Sequence, residues 1–259
     1  PANGRSNRFT LHLLRAESPG PNVEKLAPRM RDTAMILYML YMALTVINVI
    51  FLLLGGMSLF DSVCTAFGTA GTGGFGIKND SMAGYSPYIQ NVCTIFMLLF
   101  GVNFSCYYLL LLRRFKTVLK DGELRLYLGL VVASITAITI NIYHMFGSIG
   151  EALHHAAFTV ASIITTTGFA TVDFDKWPEF SKSIIVVLMM IGACAGSTGG
   201  GFKCGRLLLL LKSIRRGIRK TLNPNKVEVI RNNGNAVNEK VISGINIYVA
   251  TYFIIIFGS

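Results

Sequence analysis

The sequence predicts an all-α integral membrane protein built from a repeated unit of apolar span, short helix, polar turn and apolar span. Three observations lead there. Apolar residues make up 52% of the 259-residue chain and charged residues 14%, against roughly 25% charged in a soluble domain. The apolar residues fall in runs long enough to cross a bilayer, which takes about 20 residues. The 24 basic residues outnumber the 13 acidic ones, and they cluster in alternate loops beside those runs. A soluble nucleic-acid binder would also be basic, but it would have to bury these runs in a small domain.

Residues 1–33 are polar, lack a starting Met and show no cleavable signal, so they read as an internal cytoplasmic loop of a longer polypeptide. Ala34 to Gly56 is a first span, Leu59 to Ala70 a short helix, and Tyr88 to Leu112 an uninterrupted second span. A basic loop over 113–125 follows. Leu126 to Phe146 is the next span and Ile149 to Ile164 the next short helix; Ser183 to Leu211 is apolar at both ends and broken in the middle. The two copies occupy 34–112 and 126–220. A loop over 221–240 leads to a further apolar segment at 241–259, cut off inside the run. The short helices are too short for a comfortable span and suit re-entrant segments. Non-helical backbone at membrane depth is tolerated only where protein buries it or where it lines a watery cavity.

The charges predict orientation. One set of loops carries Arg5, Arg8, Arg15, Lys25, Arg29 and Arg31, then Arg113, Arg114, Lys116, Lys120 and Arg125, then Lys212, Arg215, Arg216, Arg219, Lys220, Lys226 and Arg231. The opposite loops hold Lys78, Lys176 and Lys182 beside Asp80, Asp173, Asp175 and Glu179. The first set is expected in the cytoplasm and the polar turns outside.

The two copies align at a fixed offset: Thr65 with Thr159, Thr72 with Thr166, Gly74 with Gly168 (168 − 74 = 94) and Phe75 with Phe169. Each turn follows a short helix. A cation shedding water needs replacement oxygens, and rings of backbone carbonyls supply them. Glycine permits the backbone angles that this requires, and a helix C-terminus adds partial negative charge. Thr72, Gly73, Gly74 and Phe75, and Thr166, Thr167, Gly168 and Phe169, therefore read as two quarters of an ion filter. The plainer reading is a pair of Thr/Gly turns joining helices.

The stretch GACAGSTGGGFK, with Gly192, Gly196, Gly199, Gly200 and Gly201 close together, cannot hold a continuous helix. Its consecutive glycines do not match helix-packing spacing. A loop at mid-membrane under the filter reads as a gate, with Gly196, Ser197, Thr198, Gly199, Gly200, Gly201 and Lys203 as its residues. Lys203 either faces the cavity as an electrostatic barrier or snorkels to the interface; Arg206 is expected to snorkel. The phosphate-loop pattern GxxxxGK[ST] is not met.

Other chemistry is thin. His144, His154 and His155 are expected in interface or packing roles, Glu151 as a cation attractor or a helix-start acid, and Asn103 and Asn141 as hydrogen-bond bridges between helices. Trp177 reads as an aromatic-belt residue. Cys64, Cys93, Cys106, Cys194 and Cys204 read as small buried apolar residues. No nucleophile–base pair or metal cluster stands out, so an enzyme reading has no support.

The stretches RAESPGPNVEKLAPRMRDTA, TAGTGGFG, ITTTGFATVDFDKWP and especially GACAGSTGGGFKCGRLLLLLKSIRR resemble the membrane subunits of Trk/Ktr/HKT-type potassium transporters, closest to the bacterial TrkH branch. The resemblance implies a potassium-channel-like fold of four membrane–pore–membrane repeats around one pore. The two copies here would be the second and third repeats, Gly74 and Gly168 their filter glycines, and Ala193 to Lys203 the gating loop. It also implies K+ at the filter carbonyls, no covalent cofactor, and uptake across the cytoplasmic membrane. A homodimer of the full-length chain and a cytosolic nucleotide-binding subunit of the RCK type are the implied partners. Sodium conduction, Na+-coupled K+ uptake and a pore-less membrane scaffold are the alternatives. The first repeat would be missing and the fourth only begun.

Overall fold

The computed structural model describes residues 30–223 and 229–258, with side chains from Ala34 onward except at Phe257. The expectations for Arg5, Arg8, Arg15, Lys25, Arg29 and Lys226 lie outside the described residues. The helices are α1 (Met30–Leu54), α2 (Leu59–Ala70), α3 (Pro87–Phe100), α4 (Phe104–Leu111), α5 (Phe115–Leu119) and α6 (Gly122–Ile142). After a 3-10 turn at Tyr143–Met145 come α7 (Ile149–Ile164), α8 (Glu179–Ile191) and α9 (Cys204–Leu222). A hairpin of β1 (Arg231–Asn232) and β2 (Asn235–Ala236) leads into α10 (Glu239–Gly258).

Three described segments are long and apolar enough to cross a bilayer: Ala34–Leu54, Gly122–Met145 and Glu239–Ile256. Only 17% of the first and 11% of the last is buried in protein. Exposed Tyr38, Met39, Val46 and Leu54 on α1 have no counterpart in a water-soluble helix, which keeps one polar face. The short helices occupy the residues expected of them, and each starts at a serine. Ser58 accepts from the Asp61 amide and Ser148 from the Glu151 amide, both at 3.1 Å. Glu151 is thus the first-turn acid of α7.

The second span is not uninterrupted. α3 and α4 meet at 89° across a break at 101–103. Gly101 is a poor helix residue, and the Asn103 side chain starts the next helix by accepting from the Ser105 amide at 2.8 Å. The fourth span breaks between Ile191 and Cys204, as expected. The basic segment 113–125 contains α5 and the first turn of α6 rather than loop alone.

Two apolar cores follow the two copies. Leu52, Ala66, Cys93, Met97 and Phe100 centre the first. Tyr127, Ile138, Ile164, Leu188 and Cys194 centre the second. Helix α7 serves both, since its Phe158 and Ala161 enter the first core. Trp177 is buried in the second core rather than in a belt at the membrane surface. The segment after its 3-10 turn (Phe174–Lys176) folds back over α6–α8 and carries the ring inward. A small third cluster of Leu209, Ile230, Val237, Ile242 and Ile245 seats the hairpin between α9 and α10. Its turn has φ +49° at Asn233 and +87° at Gly234, the Asn-Gly geometry of a tight hairpin.

Candidate functional site

Helices α2 and α7 end in the same way. The Thr72 and Gly73 amides donate back to Thr69 and Gly68 at 3.3 and 2.8 Å; the Thr166 and Thr167 amides donate back to Ile163 and Ser162 at 3.0 and 2.9 Å. Thr72 has φ +49° and Gly74 +68°, and their counterparts Thr166 and Gly168 have +59° and +89°. Positive φ is uncommon for a β-branched residue, so its recurrence at the same place in both copies marks a shared built-in backbone. Gly73 and Thr167, between them, are not in that region. An ordinary strand alternates its peptide groups; positive φ at alternate residues instead lets successive carbonyls turn to one side.

The two turns abut. A Cβ on Gly74 would overlap the Thr167 carbonyl, whereas one on Gly168 would meet nothing within 4 Å. The Met82 amide donates to the Ala170 carbonyl at 3.0 Å, and Ser81 Oγ accepts from the Ala170 amide at 3.2 Å. Ser162 Oγ donates to the Phe169 carbonyl at 2.6 Å, and the Thr165 and Thr167 hydroxyls bond at 2.7 Å. Phe169 is 3% exposed, its ring lying close over Gly68, where a Cβ would fall 3.1 Å from Cζ. Phe75, its counterpart, is 84% exposed.

The glycine-rich loop lies against both turns. Thr72 Oγ1 donates to the Thr198 carbonyl at 3.2 Å. Thr166 Oγ1 accepts from the Gly200 amide at 2.7 Å. A Cβ on Gly199 would stand 2.9 Å from the Thr165 carbonyl oxygen. At its base the loop is pinched: the Phe202, Lys203 and Cys204 amides donate to Met190, Ile191 and Ala193 at 3.2, 2.7 and 2.9 Å. Gly192 and Gly201 meet backbone to backbone, a Cβ on Gly201 falling 2.8 Å from Gly192 Cα. Lys203, half-buried at φ +78°, turns its ammonium back onto the Gly199 carbonyl of its own loop. Ser197 Oγ donates to the Cys194 carbonyl at 2.6 Å, and Gly196 packs beside the Asn103 side chain. Arg206 stacks over the Tyr248 ring at 4.2 Å from its centroid.

The break in the second span mates with the break in the fourth. The Cys194 amide donates to the Gly101 carbonyl and the Phe104 amide to the Gly196 carbonyl, both at 3.0 Å. Thr198 Oγ1 donates to the Phe100 carbonyl at 3.3 Å. Tyr127 and Tyr107 donate their hydroxyls to the carbonyls of Leu98 and Leu99 at 3.1 and 2.6 Å. Every carbonyl from Leu98 to Gly101 thus has a partner, as backbone at membrane depth requires. Glu123, on the first turn of α6, accepts from the Ala195 amide at 2.5 Å, and its carboxylate lies against Gly205, where a Cβ would fall 2.9 Å from Oε1. It ties together the two ends of the loop.

Sequence reasoning missed Glu123 and Tyr127, which carry no local signal. Asn103, expected to bridge helices, instead caps α4 by accepting from the Ser105 amide; Gly101 followed by an N-cap residue was the available sign. Asn141 accepts from Ser181 Oγ at 2.7 Å, linking α6 to α8. The His154 ring nitrogens lie 3.0 Å from Asn91 Oδ1 and 2.6 Å from Gln90 Oε1. His155 Nδ1 lies 3.1 Å from Thr171 Oγ1. His144 stands against the Tyr143 ring. Among the described residues no three His, Cys, Asp or Glu side chains gather as a metal site. The oxygens available to a cation at the turns are those of the backbone and the threonines.

The family model of the TrkH cation transport proteins matches residues 7–259. The chain belongs to the TrkH family. It is similar to the Trk system potassium uptake proteins TrkH of Salmonella typhimurium strain LT2 and Escherichia coli K12. Each is 34% identical over 251 residues, covering 95% of this chain and 52% of the relative. The potassium uptake protein TrkG of Escherichia coli K12 is 30% identical over 238 residues, covering 90% and 49%. The crystal structure of the potassium transporter TrkH from Vibrio parahaemolyticus matches with a TM-score of 0.81 at 30% identity, covering 92% of this chain and 52% of that one. The TrkH-family chain therefore spans about half the length of the relatives it matches. Helical, multi-pass membrane architecture and membership of a family of transport proteins rather than enzymes follow.

Proposed function

We propose that this chain is the central part of a channel-like potassium uptake protein of the bacterial cytoplasmic membrane. Thr72–Phe75 and Thr166–Phe169 are two of four filter quarters that hold dehydrated K+ through carbonyl oxygens, with no other cofactor. They belong to the second and third membrane–pore–membrane repeats and face outside. The loop from Ala193 to Lys203 is the gate. The observation that carries this reading is the contact of both turns with each other and with one loop: Gly74 against the Thr167 carbonyl, and Thr72 and Thr166 bonded to that loop. The potassium uptake named for the relatives supports the ion. The exposed ring of Phe75 and the open space at Gly168 suit neighbouring quarters on either side. The basic residues of α9 suit a cytoplasmic face, where an RCK-type nucleotide-binding subunit would attach to a dimer of the full-length chain.

Cation flux through the full-length protein in liposomes tests this. K+ and Rb+ should pass well ahead of Na+, and Gly168→Ser should narrow that difference. Equal flux of all three ions removes the selectivity claim and leaves a pore. No flux, even with the loop shortened and a regulatory subunit added, overturns the proposal in favour of a non-conducting scaffold.

A further inference from the structure

His154 and His155 follow one another on α7, and neighbouring residues of a helix point about 100° apart. They therefore reach two different walls. His155 meets the chain leaving the second turn, with Nδ1 3.1 Å from the hydroxyl of buried Thr171. His154 meets α3, through Gln90 and Asn91. Gln90 decides which ring nitrogen of His154 carries the hydrogen. Its side chain is buried, and its Nε2 donates to the Met82 and Tyr85 carbonyls at 2.9 and 3.1 Å, with the Ala83 carbonyl at 3.4 Å. Carbonyl oxygens gathered at one end of an amide require that end to be the NH2 group. The other end is then an oxygen, and it lies 2.6 Å from His154 Nε2. That contact requires a hydrogen on Nε2. The neutral ring is thus the Nε2–H tautomer, and the exposed Asn91 amide can present its nitrogen to Nδ1.

The carbonyls that Gln90 holds belong to the chain leaving the first turn. That chain meets the exit of the second turn, where the Met82 amide donates to the Ala170 carbonyl at 3.0 Å and Ser81 Oγ accepts from the Ala170 amide at 3.2 Å. His154 therefore ties the exit of one turn, through Gln90, to the short helix that carries the other. The first copy has no such tie: the offset of 94 places Phe60 at the equivalent position (154 − 94 = 60), and its side chain is 70% exposed. We propose that His154 is a positioning residue that determines ion specificity: by donating to Gln90 it fixes how the two turns sit against each other where the chain leaves them. This inference rests on the filter reading above. Selection by carbonyl rings depends on their spacing or on the number and field of the carbonyls, and both change when one turn shifts against the next.

The K+/Na+ flux ratio of the full-length protein in liposomes tests this. His154→Leu removes the donor and should lower the ratio about 5-fold, the factor that corresponds to one hydrogen bond. His154→Gln, whose amide nitrogen reaches the place of Nε2, should restore most of the ratio. A histidine that only fills space would lower the melting temperature in both variants and leave the ratio alone. A ratio unchanged in His154→Leu, in a protein whose wild type discriminates, overturns this proposal and leaves the filter reading standing. So does a ratio as low in His154→Gln as in His154→Leu. A wild type that does not discriminate removes the filter reading and this proposal with it. Solid-state nitrogen NMR of the histidine-labelled wild type, at about pH 8 where an ordinary imidazole is neutral, keeps the proposal testable even where His154→Leu does not fold. With His154 assigned by difference against His154→Gln, Nε2 should carry the hydrogen and Nδ1 should not; the reverse tautomer overturns the proposal.

Discussion

Replacing Thr166 by Val tests the link between the filter turn and the loop. Valine keeps the β-branched shape, so the strain of φ +59° is nearly unchanged. The hydroxyl that accepts from the Gly200 amide at 2.7 Å is lost. Gly200 is exposed, so water can take over its amide, and the cost is that of a net hydrogen bond rather than of a buried orphan. That is about 1 kcal/mol. If the bond exists only while the loop is closed, the open fraction rises about 5-fold. Thr72→Val removes the matching bond to the Thr198 carbonyl, and the pair should give roughly 30-fold if the two contributions add. The assay is Rb+ uptake into liposomes carrying the full-length protein, with Na+ uptake alongside. Flux should rise in the order wild type, single, double, and Thr166→Ser, which keeps the hydroxyl, should stay near wild type. Flux at or below the wild-type level in both valine variants would refute the latch. So would an equal rise in Thr166→Ser, since strain rather than the bond would then be the cause.

Two other substitutions probe the surrounding frame. Gly74→Ala places a methyl on the Thr167 carbonyl at a positive-φ position, an overpacking of about 1–3 kcal/mol; thermal stability should fall and K+/Na+ discrimination with it, read by melting and by flux ratio. Glu123→Ala strips the acceptor from the Ala195 amide. Its loss leaves the buried Ala195 amide unsatisfied and should destabilise the protein by about 1–3 kcal/mol. Glu123→Gln should recover part of this, and ion selectivity should be unchanged in both.

Much of the architecture was legible because it is local. A run such as Ala34–Leu54 declares a span by composition, and Leu59–Ala70 and Ile149–Ile164 declare themselves by length and the polar turns that follow them. The offset linking Thr72 and Gly74 to Thr166 and Gly168 anticipated a backbone likeness, and the positive φ values recur at those very positions. The Asn-Gly turn at 233–234 was equally local and was overlooked.

Fold class, the number and length of the apolar segments, and the equivalence of the two turns were therefore determined by the sequence alone, since each depends on neighbouring residues. What those turns touch was decided only by tertiary structure. Thr72 and Thr198 lie 126 positions apart, and Glu123 and Ala195 lie 72 apart. The break at 101–103 needs partners from the other copy for its carbonyls, which no local pattern announces. Phe75 and Phe169 are equivalent in sequence yet opposite in exposure, because a ring is buried by whatever lies across from it. Backbone groups at membrane depth must find partners wherever the fold brings them, and that long-range pairing joins the loop to the turns.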